Sequence, residues 1–477
     1  MPILITFFGL FLRLAALNDP VTYDEAYTYV AFVSRSWWGV LSDYSLPNNH
    51  IFHTLLVKIS VSLLGNQPWS LRLPALLAGT ASLPLIYLLG KRIYSSTTGL
   101  VAAMLAAVCP VLIRYDSAAR GYSLVALFTL LAWLAAADWL ETSRRRAWLG
   151  LAVAVTLGMF TIPTMLLPAG GIFLWALLTL AAQKAWRRIP ALLGAGLLSV
   201  ALTLTLYSPV LRVSGWRKLF ANNFVLPVEP GLYFSRVLWE RLTQTWEIWT
   251  MQTPPALGWI LLAGVILSLA LHRQIARQQI SLLAALLAWL LCYVILRRPD
   301  AYDRFWAFLL PLGLLWAAAG YVETAQRLGA EQWFPWRICP QTGPRLQRNF
   351  LAALTLSVLV YTSASSLLTF PQRWNKLGNV EYLAGELARD LRPGDLVLAG
   401  YPNDAPLWYY LSRLGVPEAT WRARETFSRA YVLVTTSFEP DPAKVMRANH
   451  LDPALFAFPG EFLGESGQVQ VYLFSPR

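Results

Sequence analysis

Asp24 and Glu25 stand side by side in "DPVTYDEAYTYV", directly behind the first apolar segment of a chain that is poor in charge. An ionised carboxylate held within hydrogen-bond reach of a hydroxyl is a general base. Capping accounts for part of the pair. Thr22 and Glu25 form a T-x-x-E box, and an acidic residue in the first turn also suits the helix dipole. That explains Glu25 and leaves Asp24 as the candidate base. A second cluster is "RYDSAARGYSL", in which Arg114 and Arg120 can each grip a phosphate with paired N–H groups. Tyr115 and Tyr122 flank them at a position where interfacial tyrosines are common. A plain arginine at such a boundary also snorkels to headgroups. A third cluster, "RRPDAYDRFWAFLLP", offers Arg297, Arg298, Tyr302, Asp303 and Arg304. A fourth, "LPNNHIFHTLL", sets His50 and His53 three apart, a spacing that can put two imidazoles on one helical face as in metal sites. No companion carboxylate is evident, so hydrogen-bonding histidines are the plainer reading and no metal site is predicted.

The elements that must position these residues are membrane helices. Hydrophobic residues make up 56% of the 477, only 14% are charged, and the mean hydropathy is +0.47. Soluble domains carry about 25% charged residues. The net charge of +13 could suggest nucleic acid, but a nucleic-acid binder gathers its basic residues on a soluble surface. Here they are scattered through short loops, so no nucleic-acid partner is expected. Three cysteines, Cys109, Cys292 and Cys339, show no disulfide framework. "MPILITFFGLFLRLAAL" lacks a basic n-region and an A-x-A site, and reads as a retained first helix.

Apolar runs long enough to span ~30 Å of hydrocarbon fall at 1–17, 71–90, 97–113, 122–140, 147–161, 163–182, 190–211, 255–271, 279–296, 305–322 and 350–370, which predicts about 11 crossings. The 147–182 pair is divided only by "TIPT", and one long or re-entrant helix is the alternative there. With a cytoplasmic N-terminus, the basic stretches "KRIYSS", "ETSRRR", "QKAWRRI" and "HRQIARQ" and the 323–349 loop fall inside, as the positive-inside rule requires. The long connections 18–70 and 212–255 then fall outside, as do all four polar clusters. "WERLTQTWEIW" repeats Trp239, Leu242, Trp246 and Trp249 at helical spacing, which fits a helix in the headgroup zone or one packed on the crossings. The predicted domains are 1–370, a polytopic α-helical membrane domain, and 371–477, a small extracytoplasmic α/β domain. In the latter "EYLAGELARDL" and "NDAPLWYYLSRLG" read as helices, and "LVLAG", "YVLVTTS" and "QVQVYLF" as strands. No nucleotide-binding glycine motif occurs in it.

On the stretches "YDEAYT", "NNHIFHTLL", "QPWSLRLPALLAGTASLPLIYLLGKRIYSSTTGLVAAML", "RYDSAARGYSLVALF" and "DRFWAFLLPLGLL", residues 1 to about 325 resemble the GT-C-fold glycosyltransferases that use polyprenyl-phosphate sugars. Protein O-mannosyltransferases and the lipid A aminoarabinose transferase are the nearest in kind. Two departures stand out: these enzymes often have a His-Pro-Pro-like run where this chain reads "NNHIFH", and an Arg-Tyr where it reads Arg304-Phe305. The resemblance implies an inverting sugar transfer at the outer face of a plasma (inner) membrane. Its donor is a polyprenyl-phosphate-linked sugar, and its acceptor is a lipid, polysaccharide or protein hydroxyl. It further implies Asp24 as general base with Glu25 beside it, Arg120, Arg114 and Arg304 on the donor phosphate, and Tyr122, Tyr115, His53, His50 and Tyr302 lining the substrates. No cofactor is required; a divalent metal is compatible but not predicted. The competing class is a lipid or sugar transporter or flippase, which would need intramembrane charge; Arg13 and Asp138 are its few candidates. A non-catalytic scaffold displaying the C-terminal domain would leave the polar clusters without a role.

Overall fold

The computed structural model describes residues 1–220, 226–327, 379–421 and 424–477. It divides into two compact units.

The first unit comprises Met1–Leu17, Leu41–Leu56 and the described residues from Arg72 to 327. It is helical. Pro68–Ile93, Tyr122–Thr142, Pro163–Ala182 and Trp186–Leu206 are each long and apolar enough to cross a membrane, and Ser96–Val108 with Pro110–Asp116 makes a fifth if that pair, bent by 67°, is one span. Pro2–Leu14, Ala256–Ala270, Leu282–Arg297 and Leu309–Thr324 are apolar but shorter. Of about 11 expected crossings, four or five are thus full-length among the described residues, shorter apolar helices fall on others, and the expected crossing at 350–370 lies outside those residues. A helix of 16 residues rises about 24 Å, short of ~30 Å of hydrocarbon, a mismatch that tilt cannot mend and local bilayer thinning can.

Residues 147–182 form two helices, Arg145–Thr161 and Leu166–Ala182. The break is chemical: Ile162 precedes Pro163 and is extended, at φ −147° and ψ 132°, because the proline ring disfavours the helical region for its predecessor.

What packs and what stays bare both argue for lipid. Trp133 and Trp175 are fully buried with ring centroids 5.4 Å apart. A Cβ on Gly320 would stand 1.9 Å from the Gly264 carbonyl oxygen, so Pro255–Ala270 and Leu309–Arg327 approach backbone to backbone, as membrane helices do through small residues. By contrast only 22% of the apolar window of Trp186–Leu206 is buried, and Leu193, Leu197 and Val200 lie bare, as do Ile3, Leu4, Phe7 and Phe11 of the first helix. Bare apolar faces of this extent are not stable in water.

The charges that a transporter would hold in mid-membrane are paired here. Arg13, fully buried, donates from Nε to Asp116 Oδ2 at 2.8 Å, and Arg92 bonds Asp138 and Glu141 at 3.1 and 2.7 Å.

The second unit comprises Asn18–Val40, Val57–Leu71 and the described residues from 379 onward. Its sheet has strands β1 (Leu396–Ala399), β2 (Ala430–Thr435), β3 (Glu461–Ser466) and β4 (Val469–Phe474) in the order β1-β2-β4-β3. β1 and β2 are parallel and wholly buried, as continuous apolar runs require. The β2–β4 and β3–β4 pairs are antiparallel. Helices Val380–Asp390 and Asp404–Arg413 fall where the sequence places them, the second stopping before Gly415 at φ +80°. β3 is the strand that the sequence reading missed: "EFLGES" is largely exposed and has no apolar alternation to reveal it. Two segments of the connection 18–70 belong to this unit by their contacts. Val21 N donates to the Tyr410 hydroxyl at 2.9 Å, Lys58 Nζ donates to the Val33 carbonyl at 2.7 Å, and Arg413 reaches Gln67 Oε1 at 2.7 Å.

Candidate active site

In the helical unit the site begins with a bend. Pro110, which can start but not continue a helix, opens the helix Pro110–Asp116 after the turn at Cys109. That helix delivers Arg114, Tyr115 and Asp116, and a five-residue turn leads to Tyr122. Asp116 fixes the turn. Its Oδ1 accepts from Ser123 Oγ at 2.6 Å, and its Oδ2 from Arg13, which also donates to the carbonyls of Gly9 and Ala107, both at 3.0 Å. Gly79 is what allows it to sit there: a Cβ at that position would lie 2.0 Å from Asp116 Cγ. Sequence reading passed Asp116 over, although it stands between two residues that it singled out.

On this frame Arg120, nearly buried, donates from Nη1 to the Asn48 carbonyl at 3.1 Å, and its Nη2 lies 3.2 Å from His50 Nε2. The other nitrogen of His50, Nδ1, accepts from the Gly121 backbone N–H at 3.0 Å. Burial, then Arg120, His53 and Arg304, hold the His50 pKa well below the usual imidazole value, so the ring is neutral and carries one proton. With Nδ1 accepting, that proton is on Nε2. His50 Nε2–H and the Arg120 guanidinium are therefore both N–H donors, the kind of group that binds a phosphate.

Around this pair the Tyr122 ring stands edge-on to His50 at 5.1 Å, 5.8 Å from the Arg120 guanidinium and 5.6 Å from Tyr115. Tyr115 donates its hydroxyl to Asp303 Oδ2, which ties the second polar cluster to the third. Arg304 lies 5.7 Å from the Tyr302 ring, whose face is also covered at 4.0 Å by Arg241, itself bound to both carboxylate oxygens of Asp300. His53 is buried in the helix Ile51–Leu64, and Arg114 is half-buried on the helix that carries Tyr115. Three polar clusters distant in sequence thus meet in one unit. Among the described residues no group of three His, Cys, Asp or Glu side chains could hold a metal ion.

Asp24 and Glu25 belong to the second unit, on the helix Tyr23–Thr28. Glu25 is buried, and its Oε2 accepts from Thr22 N and Thr22 Oγ1, each at 2.9 Å. Glu25 thus closes its own helix in the way the T-x-x-E spacing prescribes. Asp24, one residue earlier and about 100° around the helix, is half-buried.

The helical unit thus carries the bent helix with three of the polar clusters, and the small sheet-bearing unit carries the acidic pair. Residues 48–211 match the family described as dolichyl-phosphate-mannose-protein mannosyltransferase. Among solved structures, the chain is similar to ArnT from Cupriavidus metallidurans, both apo and bound to undecaprenyl phosphate. Each has a TM-score of 0.64 and 13% identity, covering 99% of this chain and 97% of that one. It is also similar to the Archaeoglobus fulgidus oligosaccharyltransferase (TM-score 0.54, 12% identity, 100% and 74% covered). The mycobacterial arabinofuranosyltransferase AftD matches at a TM-score of 0.51 and 17% identity, with 100% of this chain and 40% of that one covered. A search of curated protein sequences finds no match. By fold the chain is similar to these GT-C glycosyltransferases, and its apolar helices are those of a multi-pass membrane protein.

Proposed function

We propose that the protein transfers a sugar from a polyprenyl-phosphate donor to an acceptor hydroxyl at the outer face of the plasma (inner) membrane, with inversion. The observation that carries the reading is the buried Arg120 guanidinium, 3.2 Å from His50 and 5.8 Å from the Tyr122 ring, on the turn behind the bent helix. A phosphate oxygen accepts from such a guanidinium. Two similar structures are of proteins bound to a lipid phosphate, undecaprenyl phosphate in one and a dolichol-phosphate in the other, which supports the same class of donor here.

In this mechanism Asp24 takes the proton of the acceptor hydroxyl as its oxygen attacks the anomeric carbon. The bond from that carbon to the phosphate oxygen breaks, and the lipid phosphate leaves with the electron pair. Arg120, with Arg114 and Arg304, stabilises the charge that grows on it. Tyr115, Tyr122, Tyr302, His50 and His53 shape the pocket for the donor head, and Glu25 keeps the Asp24 helix closed. The acceptor is a lipid, polysaccharide or protein hydroxyl, and no metal enters any step.

The test is purified protein in liposomes with a polyprenyl phosphate carrying a radiolabelled sugar. Release of free polyprenyl phosphate with label passing to acceptor or water supports the reading. Movement of intact donor across the bilayer, with the sugar–phosphate bond unbroken, would show a flippase instead.

A further inference from the structure

The acidic pair explains neither the tyrosines that alternate with it nor a second carboxylate beside them. All of these groups lie within the second unit. Tyr23 stands edge-on to Tyr401 with centroids 4.9 Å apart, Tyr27 lies 6.0 Å from Tyr23, and Tyr401 meets Phe438 at 5.9 Å. Tyr401 is 59% and Phe438 56% exposed, so a row of rings that begins next to Asp24 ends on bare aromatic faces of the C-terminal α/β fold. Asp404, at the start of the helix Asp404–Arg413, acts on the Tyr23 hydroxyl together with Asp24; burial first, then Asp404, raises the Tyr23 pKa. The Asp404 Oδ1 atom is buried and meets no hydrogen-bond donor among the described residues. A buried carboxylate oxygen without a donor is costly, unless a ligand supplies the donor.

Resting on the proposed transferase reading, we propose that Tyr23, Tyr401, Phe438 and Asp404 form a saccharide subsite that holds a pyranose ring of the acceptor. The chemistry is that of carbohydrate recognition: an aromatic ring covers the apolar C–H face of a sugar, and an adjacent carboxylate accepts from its hydroxyls. A lipid chain would not suit a row flanked by two carboxylates. A quaternary amine would also suit the rings, and choline is the probe that separates it from a sugar. The subsite makes the C-terminal fold the acceptor-selecting part of the molecule.

The experiment uses the full chain in nanodiscs with methyl α-D-mannopyranoside and methyl α-D-glucopyranoside as probes and no donor present, read by saturation-transfer NMR. Saturation of the ring C–H protons is expected for at least one probe. A loss of roughly tenfold in apparent affinity is expected in Tyr401→Ala, about the size of one aromatic contact, and in Asp404→Asn, about the size of one hydrogen bond to a charged group. Both substitutions keep the helix start and the sheet, and unchanged thermal unfolding confirms it. Absence of saturation for both probes, signals equal in wild type and Tyr401→Ala, or displacement of the sugar by choline chloride would each overturn the subsite. Donor turnover is measured separately. Sugar binding lost in Tyr401→Ala with no donor turnover by any variant removes the transferase reading and supports the subsite. Turnover with Tyr401-independent sugar binding removes the subsite alone.

Discussion

His50 and Arg120 show how one side chain's hydrogen bonds dictate what its neighbour can do. Gly121 N–H takes His50 Nδ1, so the ring proton is on the nitrogen that faces Arg120. The His50 pKa is depressed, so the unfolded chain binds a proton near pH 6.5 that the folded chain refuses. Stability from this site is therefore complete above about pH 6.5 and declines as pH falls below it. Thermal unfolding in detergent should be flat above that pH and drop beneath it, and His50→Gln should flatten the drop. Arg120→Ala should impair use of the donor; an effect confined to acceptor affinity would contradict its assignment to phosphate. The sequence exposed these residues as types and positions. What it could not expose was the tautomer, because that depends on a backbone N–H 71 residues away in the chain.

Among elements, the helix Pro2–Leu14 and the turn behind Pro110–Asp116 are joined by a buried ion pair, Arg13 with Asp116. Removing one partner leaves a buried charge, which costs about 3–5 kcal/mol. Arg13→Met should therefore lower the unfolding temperature in detergent sharply, and Arg13→Met combined with Asp116→Asn should restore part of it. Gly79→Val should misplace the same turn, because the new side chain would occupy the space of the Asp116 carboxylate; the readout is lost transfer with the protein still inserted in membranes. Apolar periodicity showed most of these helices plainly, including the break at Ile162–Pro163. It does not fix which helices span the full hydrocarbon, because hydropathy measures composition and not where a helix ends. It missed β3 because an exposed edge strand has no buried face to impose alternation.

For the whole molecule, the basic loops predict that the polar clusters and the C-terminal fold share the non-cytoplasmic side. A phosphatase reporter fused after Arg477 should be active in cells, and the same reporter inserted at the Ser143–Arg144 loop should be silent. The reverse pattern would invert the topology. The grouping of Asn18–Val40 with the C-terminal fold was not legible beforehand, since the two are more than 330 residues apart in the chain and joined by contacts such as Val21 to Tyr410. The resemblance on five short stretches reached further than any single motif, because their order carries the architecture that spaces them.

The central claim is that Asp24 moves the acceptor proton. The direct measurement is single-turnover sugar transfer from a radiolabelled polyprenyl-phosphate donor by wild type and Asp24→Asn, each shown to be folded by its unfolding temperature. The account predicts a fall of about 100-fold or more for the variant. Transfer by Asp24→Asn at the wild-type rate would contradict it.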